Sequence, residues 1–147
     1  MAFVWTAKKK KGGKGRVRAD YAPLRIILNK QQADSVFVSI DERTAREMMG
    51  DSNVLYYRIG VDMDARKIAM MAQRYPAPGW RRRVWGKAED VRGYMRISIN
   101  TMANFGVRPE ELAPYNYPDF ARDRDSGLYV ALFRNRVLRG ESTDEDA

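Results

Sequence analysis

The 147-residue chain contains no cysteine and no histidine. Without cysteine there is no disulfide, no thiolate nucleophile and no cysteine-held zinc or iron–sulfur cluster. Without histidine, Ser-His-Asp and Cys-His catalysis and imidazole-held metals are excluded as well. Long apolar runs are also missing. The longest, at residues 128–133, falls far short of the roughly 20 residues that span a bilayer. Phe3-Val4-Trp5 is too brief for the apolar core of a signal peptide. No membrane partner is expected, and a cytoplasmic location follows by default. Gly12-Gly13-Lys14-Gly15 has no strand before it and no helix after it, so it is not a phosphate-cradling loop. What remains is carboxylate or lysine catalysis, or none, and no cofactor is implied.

Positive charge, by contrast, is plentiful. There are 27 Lys plus Arg against 19 Asp plus Glu, a net charge of +8. Seven of the cations, Lys8, Lys9, Lys10, Lys11, Lys14, Arg16 and Arg18, lie in the first 18 residues, which hold no acid. At the other end, Glu141, Asp144, Glu145 and Asp146 make an acidic tail. The body between them is mildly basic. Self-repulsion and glycine freedom predict a disordered arm over residues 1–19. Near a polyanion each of its cations can displace a condensed counterion, which points to DNA or RNA as partner. The bland alternative is a solubility tail. The acidic strip at 141–147 is expected to be solvated, as a frayed end or as a strip that docks a protein partner or competes with nucleic acid.

Residues 20–140 read as a single α+β domain, mostly β, with about seven strands and two or three short helices. Strands are predicted at 24–28 and 35–40. Asp41 then suits a helix N-cap, since its carboxylate can accept a first-turn N–H. Ala45, Met48 and Met49 give that helix an apolar face, and Gly50 can close it. Strands at 54–61 and 67–72 flank Asp62-Met63-Asp64-Ala65 as a hairpin. Residues 80–87 read as a strand or an exposed loop, and 94–99 as a strand. Asn100 is a second N-cap before a short helix ending at Gly106. Pro109-Glu110-Glu111-Leu112 opens another helical turn. Residues 115–125 read as loop, and 128–133 as the last strand.

Two stretches share an order. Val38-Ser39-Ile40-Asp41 leads into a helix, Gly50 and strands. Arg96-Ile97-Ser98-Ile99-Asn100 leads into a shorter helix, Gly106 and a strand. This strand–cap–helix–hairpin order resembles the swapped-hairpin DNA-binding families around AbrB and MraZ, over residues 36–72 and again over 94–133. The resemblance implies an intertwined barrel, with Arg43 and Arg46 projecting from the first helix towards DNA. Arg96 is the nearest counterpart in the second half. The chain departs from those families by placing Asp41 and Asn100 where they favour proline. It also lacks their Gly-Arg pair before the strand. Solvated arginines on a helix packed over a sheet are the plain alternative.

The densest local cluster is Trp80-Arg81-Arg82-Arg83-Val84-Trp85, followed by Lys87. Arginine forks bind phosphate, and indole faces stack on bases or cations. In an extended chain Arg81, Arg83 and Trp85 share one face, and Trp80, Arg82 and Val84 the other. The alternative is two core tryptophans with guanidinium groups packed at the rim. Tyr94, Tyr115, Tyr117 and Tyr129 could extend a stacking surface, although sheet tyrosines are more often core or rim.

Three function classes follow. The first is a non-enzymatic nucleic-acid-binding protein that uses the arm and the Arg/Trp cluster. The second is a structural or interaction protein, such as a virion component or a small inhibitor, self-associating through sheet edges. The third is a magnesium-dependent nuclease built on Asp62, Asp64 and Lys67 with Glu89 or Asp90. A hairpin turn explains Asp62 and Asp64 without metal.

Overall fold

The computed structural model describes residues 22–86 and 93–138. The basic arm, Lys87, Glu89, Asp90 and the acidic tail lie outside the described residues. Within them the chain is mostly β, with two antiparallel five-stranded sheets and two short helices. Ten strands are present among the described residues rather than about seven.

The strands are β1 (Leu24–Leu28), β2 (Ser35–Asp41), β3 (Val54–Asp62), β4 (Lys67–Gln73), β5 (Arg81–Val84), β6 (Tyr94–Asn100), β7 (Tyr115–Tyr117), β8 (Ala121–Arg122), β9 (Tyr129–Leu132) and β10 (Val137–Leu138). The first sheet runs β10-β7-β1-β2-β6 and the second β5-β3-β4-β9-β8. Alternation decides the inner faces. Leu24, Ile26, Val36, Val38, Ile40, Met95, Ile97 and Ile99 are buried from the first sheet, and Leu55, Tyr57, Ile68, Met70 and Ala131 from the second. One continuous cluster of buried side chains joins both sets, so the two sheets share a core. Burying each of the larger aliphatics contributes about 1.5–3 kcal/mol.

Helix α1 (Glu42–Met49) starts where Asp41 accepts the Thr44 N–H at 3.0 Å. It buries Thr44, Ala45, Met48 and Met49. Gly50 closes it at φ 62°, and a β carbon there would come within 3.0 Å of the Arg74 guanidinium. Helix α2 (Thr101–Phe105) repeats the device, with Asn100 accepting the Ala103 N–H at 2.8 Å. Asp41→Ala is expected to cost about 1 kcal/mol, read as a lowered urea midpoint with an unchanged slope.

The registers carry a regularity. Val38 faces Ile97 across β2 and β6, and Met70 faces Tyr129 across β4 and β9. The partners are the same number of residues apart in both pairs, and so are the two caps, Asp41 and Asn100. About Val38 and Ile97 the pairing is reciprocal: Val36 meets Ile99, and Ile40 meets Met95. Any antiparallel ladder is reciprocal in this way, so the regularity lies in the shared separation.

The structure corrects the sequence at residues 115–125, which are not simply loop. β7 pairs with β1, Leu24 against Tyr117 and Ile26 against Tyr115, and β8 pairs with β9. Pro114 and Pro118 bracket β7, where a missing N–H removes no bond from the middle of the ladder. β10, on the outer side of β7, was likewise not expected.

Burial pushes the Tyr117 hydroxyl above the usual tyrosine range, and Tyr57 and Tyr129 rise for the same reason. Folding thus favours the protonated phenols. Their contribution is intact below the ordinary value of 10.0 and is lost as pH climbs beyond it. Melting temperature is expected to fall above about pH 10, together with the rise of phenolate absorbance.

Candidate nucleic-acid interface

The Trp80–Trp85 stretch is a strand at its centre. β5 is an edge strand paired with β3, with Tyr57 opposite Arg81, Tyr56 opposite Arg82 and Leu55 opposite Arg83. Leu55 and Tyr57 are core residues, so Arg83 and Arg81 lie on the inward side and Arg82 on the outward side. The expected grouping of Arg81 with Arg83, and of Arg82 with Val84, therefore holds.

The three arginines nevertheless differ in their surroundings. Arg83 is only 8% exposed. Its Nε and one Nη donate to the Arg96 carbonyl at 3.3 and 3.0 Å, and the other Nη donates to the Val84 carbonyl. Arg96 belongs to β6, the edge of the other sheet. Arg83 is thus a structural tie between the sheets rather than a surface contact for phosphate. Arg81 and Arg82 are exposed. Arg81 lies beside the Tyr57 hydroxyl and partly offsets the upward shift that burial gives it. Among the described residues neither Arg81 nor Arg82 has a carboxylate partner.

Trp80 and Trp85 are half-buried. Trp85 packs on the core, its backbone N–H donates to the Asn53 carbonyl at 2.9 Å, and the Arg46 guanidinium lies 5.4 Å from its ring centre. Arg46 also donates to the Asn53 side chain at 2.8 Å and stands 3.8 Å from Glu42. The helix and β5 thus bring Arg46 and Trp85 together.

Two other predicted residues lie elsewhere. Arg96 is half-buried, with its guanidinium 4.7 Å from the Phe37 ring on the outward side of the first sheet. Arg43 is exposed and lines a cavity of about 430 Å3 with Glu47, Arg122 and Tyr129. The tyrosines are packed: Tyr94 donates to the Ala22 carbonyl at 3.0 Å, Tyr117 to the Leu112 carbonyl at 2.6 Å, and Tyr115 lies under Arg136. Asp62 accepts the Ala65 N–H at 3.0 Å, as a turn residue does. Among the described residues no three carboxylates converge as a metal site.

The structure adds residues that the sequence reading did not single out. Tyr56 and Arg58 share the outward side of β3 with Arg82 of β5, and Met71 of β4 stands opposite Arg58. Arg58 is exposed and has no carboxylate partner among the described residues. The signal was the alternation of Tyr56, Arg58 and Gly60 along β3, but its outward sense depends on the β3–β5 pairing.

No protein-family model, curated protein or solved structure matches the chain. No helix among the described residues is long and apolar enough to cross a membrane.

Proposed function

We propose that this chain is a non-enzymatic nucleic-acid-binding protein, whose basic arm finds phosphate while the second sheet supplies local contacts. One observation carries most weight. Arg58, Arg81 and Arg82 are exposed and lack carboxylate partners among the described residues; Arg58 and Arg82 share the outward side with Tyr56, and Arg81 lies beside Tyr57 on the other side. Carboxylate-paired arginines would have to surrender a partner to take a phosphate, whereas these do not. A cytoplasmic location and a protein partner for the acidic tail belong to the same proposal.

The likeness to swapped-hairpin domains, with Arg43 and Arg46 turned towards DNA, stands as a narrower proposal. Its support is the equal separation of the Val38/Ile97 and Met70/Tyr129 pairs. An assembly role is the second reading, favoured by edge strand β10, where Val137 and Leu138 are 43% and 41% exposed.

The test is fluorescence anisotropy with labelled nucleic acid across a salt series. Arg81→Ala with Arg82→Ala is expected to flatten the slope of log K against log salt by about 1–2. A double variant with unaltered slope and affinity removes β5 from the interface.

A further inference from the structure

Building on that function, we infer that the outward face of the second sheet takes a single-stranded polynucleotide, with one nucleobase seated over Gly60. Gly60 lies in the interior of β3, and its pairing is unbroken, with Ala69 opposite and regular partners on both sides. There is no bulge to explain it and no left-handed backbone. A β carbon added there meets no heavy atom within 4 Å. Nothing in the described chain requires glycine at this position. Glycine in a strand interior costs stability, and one reason for it is the close approach of a ligand.

The surroundings show what that ligand is. Gly60 and Ala69 floor a cavity of about 200 Å3 walled by Arg58, Met71 and Leu128. Met71 is 40% exposed. Tyr56 and Arg82 continue the same face on one side, and Lys67 opposes Asp62 at the other end. Among the strand residues of that face Asp62 is the single carboxylate, and it is engaged with the turn N–H of Ala65. The face is therefore cationic around a flat apolar depression.

That combination fits a partner that presents a planar apolar ring and a phosphate a short distance away. Single strands do so, because their bases are unstacked and their phosphates lie alongside. A duplex keeps its base faces inside the helix and offers this depression nothing flat. In the complex a base lies over Gly60 and Ala69 against Met71, while Arg58 and Arg82 hold the flanking phosphates.

The experiment uses the full chain with a short fluorescein-labelled oligothymidylate and with a duplex of equal length. Gly60→Val fills the depression with a residue that strands favour, so melting temperature should hold or rise. Met71→Glu places a carboxylate beside the expected phosphates and serves as a second variant. The wild type is expected to prefer the single strand, and each substitution to weaken single-strand binding about tenfold or more. Duplex binding through the arm should stay within about twofold. If the wild type binds the single strand and both variants match it, the inference is overturned while the proposed function survives. A wild type that binds neither nucleic acid overturns both. A wild-type dimer that Gly60→Val turns into a monomer gives the face to a second copy and also overturns the inference.

Discussion

Arg83→Ala is expected to destabilise the protein by about 2–4 kcal/mol, while Arg82→Ala, one position away, changes stability by less than about 0.5 kcal/mol. The contrast comes from strand alternation. Arg83 points inward opposite Leu55, and its guanidinium spans from β5 to the Arg96 carbonyl on β6. Truncation leaves that carbonyl short of two donors and removes a buried aliphatic stem. Arg83→Lys should recover only part of the loss, because a single ammonium does not reproduce the planar fork. Arg82 points outward opposite Tyr56 and is exposed, so its loss should appear in binding. Urea unfolding of the three variants checks this. Equal destabilisation by Arg82→Ala and Arg83→Ala would contradict the division of labour within β5.

Removing residues 1–18 is expected to have the largest effect on binding. The segment contains seven cations and no acid. If each neutralises a phosphate on a single strand, the log–log salt slope becomes shallower by up to about five. At low salt that amounts to a loss of several orders of magnitude in affinity. The truncated chain should still prefer a single strand over a duplex, because that preference is assigned to the sheet and not to the arm. Stability should change little, because the self-repelling, glycine-containing arm is not expected to pack on the core. A truncated protein with the parent salt slope would remove the arm from the account.

How much of this was visible in the sequence depends on the range of the interaction. β1 and both helix caps were legible because their signals are local. Leu24–Leu28 is a compact aliphatic stretch interrupted only by Arg25, and Asp41 and Asn100 each accept an N–H three residues on. β7, β8 and β10 were not legible. They are two or three residues long, too short for a period, and are defined by pairing with distant strands. The same limit applies to the interface. Period two separated Arg82 from Arg81 and Arg83, but it could not say which side was inward. Arginine is seldom buried, so composition pointed to three surface cations, where the structure turns Arg83 into a tie. Arg58 and Tyr56 were overlooked for the converse reason. They became neighbours of Arg82 only through the β3–β5 register.

The central claim is that this molecule binds nucleic acid through its basic arm and through exposed arginines that lack carboxylate partners among the described residues, and one measurement tests it most directly. Anisotropy titrations of the full chain with labelled oligothymidylate, from low to physiological salt, give affinity and slope together. The account predicts binding that weakens steeply with salt, with a slope reduced by arm removal and reduced further by replacing Arg58 and Arg82. A chain that leaves the oligonucleotide unbound at low salt would contradict it.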